Sequence, residues 1–141
     1  MKELIEMLHK GDYSCVVRND SEVRTFTRPG VTDLYSLLGD DAAFLKGAMV
    51  ADKVIGKAAA ALVVLGGVRE LYAEVISLSA LMLVRDAGIE VDFSVVVPYI
   101  RNRNGDDWCP LEMICYKEKN AEDILPLIDH FLLDMKKGKT A

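Results

Sequence analysis

The chain has 141 residues, a formal net charge of -5, 51% hydrophobic and 28% charged residues, which suits one domain spanning 1–141 with a core that needs no staple. The longest basic run is the terminal Lys136-Lys137-Gly138-Lys139, which argues against a nucleic-acid partner held on a basic face. Three cysteines without a C-x-x-C pair, and two histidines far from them in sequence, argue against a disulfide framework and a structural zinc site.

Residues 2–9 have helical periodicity and no signal-peptide core, so a cytoplasmic protein is expected. Tyr13–Arg18 and Glu22–Thr27 are β-rich and flank Asn19-Asp20-Ser21, a hairpin signal. Arg28-Pro29-Gly30 ends the second strand with turn chemistry. Asp33–Leu38 reads as a short helix closed by Gly39-Asp40-Asp41. A long helix is predicted over about Ala42–Leu65, ended by Gly66-Gly67. Within it the segment Ala51–Ala60, A-D-K-V-I-G-K-A-A-A, sets charge into an apolar run. The one stretch resembling a membrane span, Leu45–Leu65, carries Lys46, Asp52, Lys53 and Lys57. Each central charge opposes insertion by about 2.5–3.5 kcal/mol, so no membrane is expected.

Glu70–Val75 reads as a strand and Ser77–Ala87 as a helix, with Ser77 or Ser79 as N-cap and Gly88 beyond its end. Glu90–Val97 turns fully apolar, as a buried central strand does. After the polar loop Arg101–Asp107, Cys109-Pro110-Leu111-Glu112 leads into a predicted last strand at Met113-Ile114-Cys115-Tyr116. Asn120 or Glu122 starts a closing helix to about Met135 that contains Pro126. The order of elements implies a three-layer α/β/α sandwich with a mixed sheet and an antiparallel hairpin at one edge. That exposed hairpin edge makes a homo-oligomer an expected state.

The order of elements, with Ala51–Ala60, then Val75-Ile76-Ser77, then Asn102-Arg103 and Cys109-Pro110-Leu111-Glu112, resembles the cytidine deaminase-like fold. It is similar in particular to a bacterial family of unknown function that shares the fold. Active deaminases hold zinc with H-x-E at one helix start and P-C-x-x-C at the next. The resemblance sets Asp52-Lys53-Val54 at the first place and Ile76-Ser77-Leu78-Ser79-Ala80 at the second. It therefore implies a domain without a zinc cofactor, and no other cofactor is indicated.

Each candidate residue carries two readings. Lys53 and Lys57, four apart, bind an anion or polarise a carbonyl with Asp52 as base, or they reach solvent while Asp52 caps a helix. Gly56 between them leaves room for close backbone or ligand approach. Cys109 is a nucleophile if a cation lowers its thiol below about 8.5, or a small hydrophobe at a strand edge. Glu112 suits a salt-bridge partner of one lysine better than an acid catalyst. Asn102 and Arg103 hydrogen-bond a ligand or form a solvated turn, and Ser77 offers its hydroxyl to an anion or caps its helix. Three functions remain open on this reading. One is a metal-independent domain binding a small anionic or nucleotide-like metabolite through Lys57, Ser77, Asn102 and Arg103 around Asp52, Lys53 and Glu112. Another is an enzyme with Cys109 or Lys53 as nucleophile, and the last is a structural or partner-binding module.

Overall fold

A computed structural model describes residues 1–28 and 30–138 of the chain. Pro29 of the predicted turn and Lys139 of the terminal basic run lie outside the described residues. In order come α1 (Lys2–Lys10), β1 (Cys15–Asn19), β2 (Glu22–Phe26), α2 (Thr32–Asp40), α3 (Ala42–Leu45) and β3 (Met49–Ile55). They are followed by α4 (Lys57–Gly66), β4 (Glu70–Ser77), α5 (Leu78–Asp86), β5 (Glu90–Val97), α6 (Pro110–Cys115) and α7 (Ala121–Lys136). One five-stranded sheet runs β2-β1-β3-β4-β5. β1 pairs antiparallel with β2 and β3, while β3–β4 and β4–β5 are parallel. Each parallel pair is joined through a helix, α4 and then α5, because parallel strands need a long crossover.

Side chains alternate across a strand, so each strand feeds two cores. Val16, Met49, Ala51 and Tyr72 turn toward α1, where Leu4 and Leu8 cover them. Cys15, Val17, Val50, Leu71 and Ala73 enter the larger core beneath α4 and α5. α7 packs on α4 and adds Ile124 and Ile128 to that core. This is the expected α/β/α sandwich with a mixed sheet and an antiparallel hairpin at one edge.

The alternation slips in the two central strands. Val50 and Ile55 of β3 lie five apart, and Ala73 and Ile76 of β4 three apart, yet all four enter the larger core. Odd spacings belong on opposite faces of a regular strand, so the backbone shifts by one residue between them. In β3 the shift falls at Asp52, whose Oδ1 accepts the Val54 N–H at 3.0 Å. Beyond it Val54, Val75 and Val95 are register partners across three strands. Their row leaves Val54 45% and Val95 50% exposed.

Three expectations are corrected. The long helix over Ala42–Leu65 is α3, β3 and α4, divided at Gly47 with its positive φ of 74°. β3 is buried on both faces over Met49–Asp52, so its run M-V-A-D-K-V-I lacks the apolar-polar alternation of a half-exposed strand and reads as a buried helix. The predicted last strand at Met113–Tyr116 belongs to α6 and the turn after it. Pro110 at the first helical position and Glu112 in the first turn are helix-start chemistry. They outweigh the β-rich Ile114-Cys115-Tyr116. β5 is an edge strand rather than a central one, and its valines are apolar without being buried. The caps agree with the sequence: Ser77 Oγ accepts from Ala80 N–H at 3.3 Å, Asn120 Oδ1 accepts from Asp123 N–H at 3.0 Å, and Gly67 closes α4 in the left-handed region.

Two helical glycines make a test of this packing. A Cβ on Gly66 would lie 2.9 Å from Leu45 Cδ1 and 3.0 Å from its Cβ, whereas one on Gly39 of α2 meets nothing within 4 Å. Gly39→Ala is expected to raise stability by about 0.5–1 kcal/mol. Gly66→Ala is expected to lower it by about 1–2 kcal/mol, overpacking exceeding the gain in helix propensity. Urea midpoints that move in the same direction for both would contradict the α3–α4 contact.

Candidate functional site at the head of helix α4

The first N–H groups of a helix have no partner within it. α4 begins at Lys57, and Gly56 before it offers no side-chain cap. Glu112, buried in the first turn of α6, supplies the acceptor from far along the chain. Its Oε1 takes the Lys57 N–H at 2.8 Å and its Oε2 takes the Ile100 N–H at 2.7 Å. A carboxylate at the positive end of a helix is also favoured by the macrodipole. Gly56 makes the approach feasible: a Cβ there would stand 3.1 Å from Ile100 Cγ1 and 3.4 Å from Glu112 Oε1.

The Lys57 side chain is buried beside this carboxylate, and its Nζ donates to the Tyr116 carbonyl at 2.7 Å. Burial lowers its pKa, opposed by Cys115, Glu112 and Glu118. Cys115, buried in the same corner, has its thiol pushed up to about 12 by burial and then by Glu112. The corner thus holds a lysine and a carboxylate that each bond to backbone groups, and a protonated thiol.

Asp52 belongs to a different cluster. It faces Cys15 across the β1–β3 register, and both side chains are buried. Burial raises the Asp52 carboxyl to about 7, opposed by hydrogen bonds from Val54 N–H, the Cys15 thiol and Lys53 N–H, with nearby Asp33 pushing further up. Burial and then Asp52 raise the Cys15 thiol well above its ordinary value. Asp33 in turn accepts from the Arg28 N–H at 3.0 Å and Nε at 2.6 Å.

The predicted site residues therefore divide. Lys57 and Glu112 come together, but through the lysine's backbone N–H rather than an ion pair within bonding distance. Asp52-Lys53-Val54, placed by resemblance at the deaminase ligand position, lie in β3, and the helix head is Gly56-Lys57. Lys53 is half-exposed, and its side chain forms no hydrogen bond among the described residues. Ser77 is fully buried and caps α5. Asn102 closes its own loop, donating to Asp106 Oδ1 at 2.9 Å and accepting the Asp106 N–H at 3.3 Å, while Arg103 is exposed. Cys109 is the half-buried N-cap of α6. Its N–H donates to the Ile100 carbonyl at 2.8 Å.

Sequence reasoning missed the roles of Cys15, Asp33, Tyr99, Ile100 and Tyr116. Tyr99 stacks on Trp108 with centroids 4.3 Å apart and 8° between planes, and Trp108 meets Tyr116 edge-on at 4.8 Å. Tyr99 also lines a groove of about 460 Å³ at the C-terminal ends of the parallel strands. Val54, Val75 and Val97 lie along it, with Ile100 and Arg101 beside Tyr99. Ile100 ties this groove to the head of α4, since it also meets Gly56 and Glu112.

Deaminase-type zinc needs imidazole or thiolate ligands at the heads of α4 and α5. Gly56-Lys57 and Ser77 stand there, an ammonium and a hydroxyl, so the residues do not fit the metal. Among the described residues no three His, Cys, Asp or Glu side chains converge to hold an ion, and no helix is long and apolar enough to cross a membrane.

The buried Asp52 has a measurable signature. Its folded carboxyl keeps a proton up to about pH 7, whereas the unfolded chain releases it near 3.8. The folded state binds more protons between those values, so stability falls as pH rises through that window and levels off above it. The full fall is on the order of 4 kcal/mol. Asp52→Asn, which keeps the Val54 acceptor without the charge, is expected to flatten this part of the stability–pH curve. Parallel wild-type and variant curves across the window would contradict the assignment.

A solved structure of a DUF1893 family protein (TM1506) from Thermotoga maritima superposes with a TM-score of 0.83 at 24% identity, over 90% of this chain and 86% of that one. A diaminohydroxyphosphoribosylaminopyrimidine deaminase/5-amino-6-(5-phosphoribosylamino)uracil reductase from the same organism has a TM-score of 0.44 at 15% identity. That likeness covers 82% of this chain and 39% of the enzyme's. No curated protein matches the chain. Residues 3–132 match the family described as TM1506, domain of unknown function (DUF1893). The chain belongs to the DUF1893 family.

Proposed function

We propose that this chain binds a small planar metabolite bearing an acidic group, in the groove where β3, β4 and β5 end. The observation that carries the reading is Tyr99, backed by Trp108 on the groove wall beside Arg101. An aromatic face suits a flat ring, a guanidinium suits a carboxylate or phosphate, and the valines suit the apolar body. Open α/β sheets bind ligands at the carboxyl ends of their strands, and about 460 Å³ is within the usual range for small-molecule sites. Arg101 forms no ion pair among the described residues. The head of α4 next door has its polar groups mutually paired, so the ligand lies against that corner rather than in it. Glu112 and Lys57 then shape the wall through Ile100.

Trp108 is the single tryptophan, so its fluorescence reports on the stack directly. Titration with nucleoside monophosphates and aromatic carboxylates is expected to quench it with saturable dissociation constants. Tyr99→Ala weakens all binders at least tenfold, and Arg101→Gln weakens the anionic members while sparing neutral nucleosides. A panel that changes neither the fluorescence nor the melting temperature would overturn the reading.

A further inference from the structure

The geometry points to a two-fold dimer in which β5 of one copy pairs antiparallel with β5 of a second, extending the sheet across both chains. The two sheet edges differ in kind. β2 is short and guarded by charge: Arg24 pairs with Glu22 at 2.8 Å and Asp41 at 3.0 Å, and its guanidinium lies 3.8 Å from the Phe44 ring centroid. Charge of this sort discourages pairing at an edge. β5 has eight residues and, among the described residues, no strand on its outer side.

The apolar surface around β5 selects the form of its partner. Val95 and Val96 are consecutive and both exposed, so the edge is apolar on both faces of the sheet. A ligand or a helix lying on one face leaves the other uncovered, whereas an added strand with its own layers covers both. On the helical side, Leu78 and Met82 of α5 are 52% and 57% exposed, four residues apart on one stripe. Arg85 continues that stripe, with its guanidinium 6.0 Å from the Phe93 ring of β5, so helix stripe and strand edge form one continuous surface. A second copy brings its own α5 alongside and covers Leu78 and Met82 together with the valines.

Charge fixes the direction of pairing. Glu90 and Asp92 occupy the first half of β5, while Val95, Val96 and Val97 carry no charge in the second. Parallel pairing would set the acids of the two copies side by side, a repulsive arrangement. Antiparallel pairing sets each acidic half opposite an uncharged half, and the resulting two-fold symmetry closes the assembly at two.

Sedimentation equilibrium over micromolar to millimolar protein tests the proposal. The expected mass at the upper end is twice the 15.6 kDa of the chain, and Val95→Lys raises the dimer dissociation constant at least tenfold. Met82→Lys is a second variant on the other face of the interface, expected to act in the same direction. Circular dichroism confirms that the variants fold, as their exposed positions allow. A wild-type chain that stays monomeric throughout, folded lysine variants that dimerise as before, or a dimer disrupted instead by Val23→Lys on β2 would each overturn it.

Discussion

The Glu112 carboxylate organises the functional end of this molecule. It accepts two backbone N–H groups, one from the start of α4 and one from the segment leaving β5. It is carried by α6, whose two ends also meet those segments through the Cys109 N–H bond to the Ile100 carbonyl and the Lys57 Nζ bond to the Tyr116 carbonyl. Hydrogen bonds to a buried charge are worth about 1.5–3 kcal/mol each, and removing such an acceptor strands its donors. Gly56 has no side chain because Ile100 and this carboxylate take the space. Lys57, next along the chain, is buried near the carboxylate and held by the Tyr116 carbonyl. The head of α4 is a natural anion site, and the chain fills it with an anion of its own.

A second constraint is the slip in β3 and β4. If alternation ran on unbroken, Ile55 and Ile76 would leave the larger core and Val54 and Val75 would enter it. The one-residue shift, held in β3 by the Asp52 bond to Val54 N–H, keeps the isoleucines buried and turns the valines outward. Their exposure provides the floor of the groove, and the open edge beside them provides the surface proposed for a second copy. The fixed geometry is achieved with a buried carboxyl, which has a desolvation cost that grows with pH.

Local signals were legible in the sequence and long-range ones were not. The β1–β2 hairpin, the caps at Ser77 and Asn120 and the glycine close of α4 follow from turn and capping chemistry within a few residues. β3 was hidden because burial on both faces erases the apolar-polar alternation that marks a half-exposed strand, and Ala-rich sequence then favours a helix. α6 was hidden behind a β-rich triplet, although Pro110 and Glu112 carried the helix-start signal. At the site, charge within an apolar run drew attention to Lys57 and Asp52, both of which are buried. It could not separate them into two clusters, since their partners Glu112 and Cys15 lie 55 residues ahead and 37 behind in the chain. The resemblance to zinc deaminases located the helix head four or five residues too early for the same reason: the helix was drawn through the strand. The Tyr99–Trp108 stack left no periodic trace, because both residues lie in the irregular segment between β5 and α6.

The self-filled helix head can be tested by emptying it. Glu112→Ala removes the carboxylate and leaves the Lys57 and Ile100 N–H groups without an acceptor, a loss expected to be about 3 kcal/mol or more. Thermal melts of this variant in acetate or formate, against chloride at equal ionic strength, ask whether a free carboxylate can take the place. The expected result is a melting temperature that rises with carboxylate concentration in the variant and stays flat in the wild type. A variant as stable as the wild type, or one that responds equally to chloride and carboxylate, would contradict the claim that Glu112 is the anion seated on α4.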